Sequence, residues 1–484
     1  MLVATLFIVP VLAALITGFT PRGRQGVIEY TAIIAGGIEA IFALIIAYRV
    51  AGGTLPFAAN LFTPDALSAF VIGITAIVGF AAAVDSVSHL RNEESKGIIG
   101  FRRFRQYFIL FHLFFFAMYI AALTTNPLIT WVAIEATTLA TAFLTTFYNK
   151  ASALEAGWKQ LILNSVGLLL GLLGTLLFLS AGAGAGNASS LITWSDLGAL
   201  AKTFDPTLIK VAFVFILIGY GTKTGFVPLH TWKPDAYSKT PAPIAALFSG
   251  ALMSTAFIAI LRFQHITSLT VGPSFAHGLL IAFGAISIVT AAFLMTGPKN
   301  YKRLLAYSSI EHGGVMALGF GVGGVGVIGA FFHMMYHALA KPILFFAAGN
   351  FFLKFSSTKI AQVRGAIRLI PFSAIMFFGG VLAATGMPPF GIFFTKLTIL
   401  GATMPRHPII AMIVLVAFAI VFANLVRHAV NMVFGEPPKD IEPGEAGPLS
   451  IFSLVFLAVL FVILSLWTPT ALSALITNAA QIIS

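Results

Sequence analysis

Four charged side chains sit where the sequence gives them no water. Glu135 lies in "WVAIEATTLATAF" and Lys223 ends the run "VAFVFILIGYGTK". Lys341 lies in "FFHMMYHALAKPILFFAAGN" and Lys396 in "GMPPFGIFFTKLTIL". Most Ser and Thr in such segments only hydrogen-bond a neighbouring helix. An ionisable group at membrane depth is a different matter, because inserting one costs about 2.5–3.5 kcal/mol even on lenient scales. A carboxylate and three amines can hold and release protons. Burial favours the neutral amine and a nearby carboxylate favours the ammonium, so a Glu–Lys couple of variable spacing is a proton switch. His333, His337 and Lys341 are spaced by four and share one helix face. A polar stripe on an apolar helix reads as a hydrated path or a pairing seam. His312, in "AYSSIEHGG", is a further candidate, and His230 is a candidate relay beside the first lysine. Glu39 and Asp85 are expected to face a partner subunit or to snorkel to an interface.

Other chemistries are excluded by residue type or context. The chain has no Cys, so thiolate-held Fe–S or Ni–Fe centres, disulfides and thiol catalysis are ruled out within it. "HMMYH" lacks the Glu of a zincin helix, and "GVGGVG" (Gly321–Gly326) follows a membrane helix rather than a strand. There is no P-loop. No metal or cofactor is expected in this chain.

The elements that must position these groups are membrane helices. Of 484 residues, 58% are hydrophobic and 9% charged, with mean hydropathy +0.98. Soluble domains carry roughly 25% charged residues. A span needs about 20 apolar residues, and such segments lie near 2–19, 28–48, 66–88, 107–124, 127–147, 158–181, 207–223, 242–263, 275–297, 304–322, 326–353, 369–403, 408–432 and 449–468. The fold class is thus an all-α polytopic membrane protein of about 14 helices by that measure. The first segment lacks a basic n-region and is read as a retained helix. "AGAGAGNASS" (Ala181–Ser190) is a flexible loop, and "TALSALITNAAQIIS" extends the last helix or lies at the surface.

The net charge of +12 is compatible with nucleic acid or anionic lipid, and the positions of the charges decide for lipid. Most of the 28 Lys and Arg fall in the odd-numbered loops, among them Lys233, Lys239, Lys302 and Arg303. The other side holds Arg49, Lys202, Lys210, Arg262 and Arg406. The positive-inside rule puts the odd loops in the cytoplasm and both termini outside. The basic rim from Arg91 to Arg105 then faces a peripheral subunit or anionic headgroups.

Two of the spans are interrupted. "GTKTGFVPLH" (Gly221–His230) and "GMPPFGIFFTK" (Gly386–Lys396) each combine Gly, Pro and a lysine, in the seventh and twelfth helices. Paired broken helices point to a transport site, and unwound backbone at that depth must line a polar cavity. Helices four to eight and nine to thirteen form two five-helix repeats, the second inverted because the number of spans is odd. The segments are 1–106, a three-helix start; 107–265, the first repeat; 266–432, the inverted repeat; and 433–484, a last helix and tail.

"TKTGFVPLHTWKPDAYSKTPAPIAALFSG" resembles the seventh-to-eighth-helix signature of the antiporter-like subunits of complex I, cation/proton antiporters and energy-converting hydrogenases. "WVAIEATTLATAF", "ALEAGWKQLILNSVG" and "KRLLAYSSIEHGG" are most similar to component F of the hydrogenase 4 and formate hydrogenlyase branch. The resemblance implies that Glu135 and Lys223 form the fifth- and seventh-helix couple. It places His312, His337, Lys341 and Lys396 on a central hydrophilic axis. Ser254 stands where the family commonly has an eighth-helix lysine, so it is a relay candidate that cannot store a proton as a stable cation. The chain ends soon after the fourteenth helix, without the long lateral arm of the distal complex I subunit. The implied function is ion translocation, with protons as the expected ion, coupled to redox chemistry in partner subunits. The implied partners are other membrane subunits and a cytoplasmic NiFe hydrogenase-like arm carrying Fe–S and NiFe centres, in a plasma membrane. The competing reading is a cation/proton antiporter or inorganic-carbon uptake complex without redox partners; a mere membrane anchor would not need intact buried charges.

Overall fold

The computed structural model describes residues 2–54, 61–184 and 192–483. Among the described residues twelve helices are long and apolar enough to cross a membrane. They are Leu2–Phe19, Gln25–Ala51, Ala66–Ser95, Phe101–Leu123, Pro127–Thr145, Ala151–Gly184, Pro206–Thr224, Ala242–Val271, Pro273–Leu294, Val325–Phe355, Pro408–Val433 and Pro448–Leu466. Two more crossings bring the number to the expected fourteen. Tyr301–Val322 carries Lys302, Arg303 and Glu311, which lower its hydropathy. The other is split into Pro371–Thr385 and Gly391–Thr403, each half too short alone. Below, spans are numbered one to fourteen in chain order, Tyr301–Val322 being the tenth and the split helix the twelfth.

Local sequence fixes where the functional helices begin. Asn126 caps the fifth span, accepting from Leu128 N and Ile129 N, and Pro127 takes the first-turn position where its missing N–H costs nothing. Asp205 and Pro206 do the same for the seventh span, and Asn300 caps the tenth. Both broken helices stop on a glycine at φ +85°, Gly225 and Gly386, a left-handed conformation that glycine adopts without strain. The chain then re-enters as Trp232–Lys239 in the seventh span and Gly391–Thr403 in the twelfth.

The third, eighth and eleventh spans are almost wholly enclosed by the others. A helix apolar on all sides belongs in the interior, and the functional stripe lies on the eleventh. The sixth and seventh spans meet at Gly171 and Gly219, where a Cβ on Gly219 would strike the Gly171 backbone, a small-residue contact that lets two backbones approach. Lys223, one turn beyond Gly219, is thereby held at the seam with the fifth span.

Several sequence expectations are corrected. The fourth span starts at Phe101, so Arg102, Arg103 and Arg105 belong to its first turns and not to a loop. Residues 181–184 continue the sixth helix; the rest of the expected glycine-rich loop, 185–190, lies outside the described residues. The tail is a separate helix, Thr470–Ile483, packed on the second and third spans.

Candidate functional site

In the second half of the chain an ion pair closes the path. Lys396 Nζ lies 2.8 Å from Glu311 Oε1, with the two side chains 7% and 0% exposed. Glu311 Oε2 is 3.6 Å from His312 Nε2. His312 Nδ1 and His333 Nε2 are hydrogen-bonded at 2.9 Å, and His333 Nδ1 reaches Thr395 Oγ1 at 2.8 Å. Thr395 precedes Lys396, so the tenth, eleventh and twelfth spans close one polar ring.

From that ring a chain of contacts leads towards the first half. The His337 ring centroid is 4.7 Å from that of His312. His337 Nε2 is 3.3 Å from both Ser249 Oγ and the Ser249 carbonyl oxygen. Ser249 sits in a widened π-turn, Phe248–Leu252, of the eighth span. Such a turn frees a carbonyl from the helical ladder and recurs at functional sites. Ser249 Oγ bonds Ser309 Oγ at 2.8 Å, Ser309 Oγ donates to Leu305 O, and Lys341 Nζ donates to the same carbonyl at 3.0 Å. Lys341 and Lys396 are thus joined through hydroxyls, imidazoles and one backbone carbonyl.

The first half is arranged differently. Lys223 Nζ donates to Thr138 Oγ1 at 2.8 Å, and Ser165 Oγ donates to Glu135 Oε1 at 2.7 Å. Among the described residues Glu135 and Lys223 form no ion pair, and Glu135 Oε2 has no hydrogen-bond partner. Thr138 is one turn beyond Glu135 on the same face, so Lys223 has a hydroxyl and a carboxylate as neighbouring choices. Glu135 is half-buried, near a lateral surface where Val132, Leu139 and Phe143 are exposed.

The remaining candidates divide. His230 is half-buried in the first break, and no hydrogen bond of its side chain reaches the axis among the described residues. Ser254 is buried, but its Oγ donates back to Gly250 O of its own helix. Glu39 and Asp85 face neither lipid nor partner: both are buried, accepting from Tyr119 Oη at 3.1 Å and from Ser450 Oγ at 2.8 Å. Lys233, Lys302 and Arg262, assigned to loops by charge counting, are 1%, 6% and 9% exposed. Arg262 pairs with Asp65 at 2.8 Å, and Lys302 Nζ donates to Thr240 O.

Sequence reasoning missed Glu311, although it adjoins His312. The available signal was position: Glu311 lies on the tenth span, five spans after Glu135 on the fifth, which is the spacing of the two broken helices. It also passed over Thr138, Ser249 and Thr395, hydroxyls that only their partners distinguish from packing residues.

Residues 124–423 match the family model described as NADH:quinone oxidoreductase/Mrp antiporter, TM. A hydrogenase-4 component F homolog of Methylacidiphilum infernorum is 36% identical over 408 residues, 83% of this chain and 86% of that protein. The chain belongs to this antiporter-like family. A chain of the archaeal membrane-bound sulfane sulfur reductase superposes with a TM-score of 0.86 at 26% identity, covering 99% of this chain and 97% of that one. A chain of complex I from Thermus thermophilus shares the fold, with a TM-score of 0.77 at 24% identity, covering 96% and 97%. The protein is an antiporter-like multi-pass membrane subunit of the kind found in complex I and membrane-bound hydrogenases, and its buried charges accord with proton translocation. In this chain the two broken helices carry Lys223 and Lys396.

Proposed function

We propose that this chain moves protons across the plasma membrane as one subunit of a redox-driven complex. The observation that carries this reading is the line of buried polar contacts from Lys341 to Lys396, set beside a Glu135–Lys223 couple that is held apart. Among the described residues no cluster of His, Asp or Glu could hold a metal, and the chain has no Cys. In this reading the energy comes from partner subunits, with Fe–S and NiFe centres in an arm on the cytoplasmic side and both termini of this chain outside. The hydrogenase-4 component F homolog supports a hydrogenase-type arm.

Each side chain has a task in this reading. Lys223 holds a proton while Glu135 is near, and releases it when Glu135 is drawn to Ser165. The axis residues His337, His312 and His333 pass a proton between them, across the ring contact of His337 with His312 and along the hydrogen bond of His312 with His333, each imidazole taking it on one nitrogen and giving it from the other. Lys396 holds it against Glu311 until that pair opens to the far side. Purification of the native complex tests the assembly: a co-purifying Ni–Fe or Fe–S protein supports it. A complex that moves protons with no redox subunit would replace it with the antiporter or carbon-uptake reading.

A further inference from the structure

The two breaks are built alike, and the likeness singles out a lysine that the path above leaves unused. Each break follows a Thr-Gly pair, Thr224–Gly225 and Thr385–Gly386. In each, a lysine from the helix after the break lies back over the glycine. A Cβ on Gly225 would strike the Lys233 side chain, and one on Gly386 would crowd that of Lys396. In each, the lysine also donates to the threonine carbonyl, Lys233 to Thr224 O at 2.6 Å and Lys396 to Thr385 O at 3.4 Å. Lys233, not Lys223, is the geometric counterpart of Lys396. The residue that matches Lys223, two before the glycine, is Ala384.

The surroundings of the two lysines differ. Lys396 has Glu311 beside it and the Phe418 ring centroid at 4.4 Å. Lys233 has no ion pair among the described residues; its other neighbours are Met253 Sδ at 3.4 Å and the Tyr237 ring at 5.7 Å. It is 1% exposed. A buried charge without a counter-ion is costly, and capping one carbonyl needs only a neutral donor. A lysine here is chemically more than the cap requires. Its location gives the excess a use. Lys233 touches the carbonyl of the residue next to Lys223, and the Met253 sulfur that it also touches packs on Gly313, next to His312. The line of polar contacts from Lys396 ends at Lys341, and the first couple ends at Lys223; the short helix that carries Lys233 packs against the tenth span, beside that line.

We propose that Lys233 is the proton carrier joining the Glu135–Lys223 couple to the axis. Its neutral Nζ accepts the proton that Lys223 gives up, becoming an ammonium, and returns to the amine when the proton moves on to the Lys341–His337 end. One proton moves at each step and no electron does. This inference rests on the proton-moving role proposed above.

The test uses the native complex in proteoliposomes, with redox-driven proton uptake and subunit content measured together. Lys233→Gln keeps a donor for Thr224 O but cannot carry a proton. The second variant exchanges two side chains that touch tip to tip, Lys233→Met with Met253→Lys, and returns an amine to the same place from the opposite helix. Uptake should fall at least about tenfold in Lys233→Gln, as for loss of a proton-transfer group, and the exchange should restore most of it. Full uptake in Lys233→Gln would overturn the proposal. So would an exchanged complex that assembles without pumping, or a failure of both variants to assemble, which would reduce Lys233 to a cap. A wild-type complex that takes up no protons would instead refute the function on which the inference rests, so the two failures are distinguishable.

Discussion

In the second half of the chain Glu311 and Lys396 touch at 2.8 Å, both sealed from solvent. In the first half Glu135 and Lys223 have each taken a hydroxyl instead, Ser165 and Thr138. The difference traces to single residues. Three positions after Glu135 stands Thr138, while three after Glu311 stands Gly314, pressed against Gly284 of the ninth span. The position three after Glu311 offers Lys396 no hydroxyl, whereas Thr138 offers Lys223 one. Two carboxylate–lysine couples are thus held in two states, one paired and one parted. A pair with a competing partner close by can be switched at small cost; a pair without one stays shut until something larger moves.

The largest expected effect breaks this contrast through stability. Glu311→Gln strands the Lys396 ammonium, and loss of one partner of a buried pair costs about 3–5 kcal/mol. Glu135→Gln loses only a charge-assisted hydrogen bond from Ser165, about 1.5–3 kcal/mol at most, at a half-buried position. Thermal unfolding of the solubilised complex should therefore fall clearly for Glu311→Gln and less for Glu135→Gln, with transport lost in both. Equal destabilisation would mean that the two halves are not in different states.

A smaller effect sharpens the contrast. Thr138→Val removes the competing hydroxyl, worth about 1 kcal/mol, and should bias Lys223 towards Glu135. Proton uptake is expected to slow several-fold while Thr138→Ser stays near wild type. If Thr138→Val pumps normally, the hydroxyl is not part of the switch.

Much of this was legible in the sequence, and the omissions have physical causes. The fourteen crossings, the two breaks and the intramembrane Glu135, Lys223, Lys341 and Lys396 follow from hydropathy punctuated by Gly, Pro and charge. Glu311 was lost because hydropathy does not say which of two adjacent polar residues, Glu311 or His312, faces a partner. Lys233 was lost because charge counting assigns any lysine near a break to a loop, and only the fold-back over Gly225 buries it. Ser249 and Ser254 are both serines on the eighth span; a π-turn that no residue type announces turns the first to the axis, while the second bonds its own helix.

That last pair gives the next prediction. Ser249→Ala breaks the link between His337 and Ser309 and should slow uptake several-fold. Ser254→Ala should change it less than about twofold, since its hydrogen bond is a helical back-bond of little worth. A larger loss at Ser254 than at Ser249 would move the path to the other side of the eighth span. The smallest expected effect is none: Ser95→Cys, in a chain without native Cys, should leave transport intact and be labelled only from the cytoplasm. Labelling only from outside would reverse the assigned direction of both halves.

The most direct measurement is proton uptake per electron transferred in proteoliposomes holding the purified complex with Lys223→Ala. Lys223 is the group that must both receive a proton in the first half and release it to the axis. Uptake through this subunit should vanish while the complex remains assembled and continues to transfer electrons. Undiminished uptake in a fully assembled Lys223→Ala complex would contradict the account, because no proton could then be moving through the parted couple.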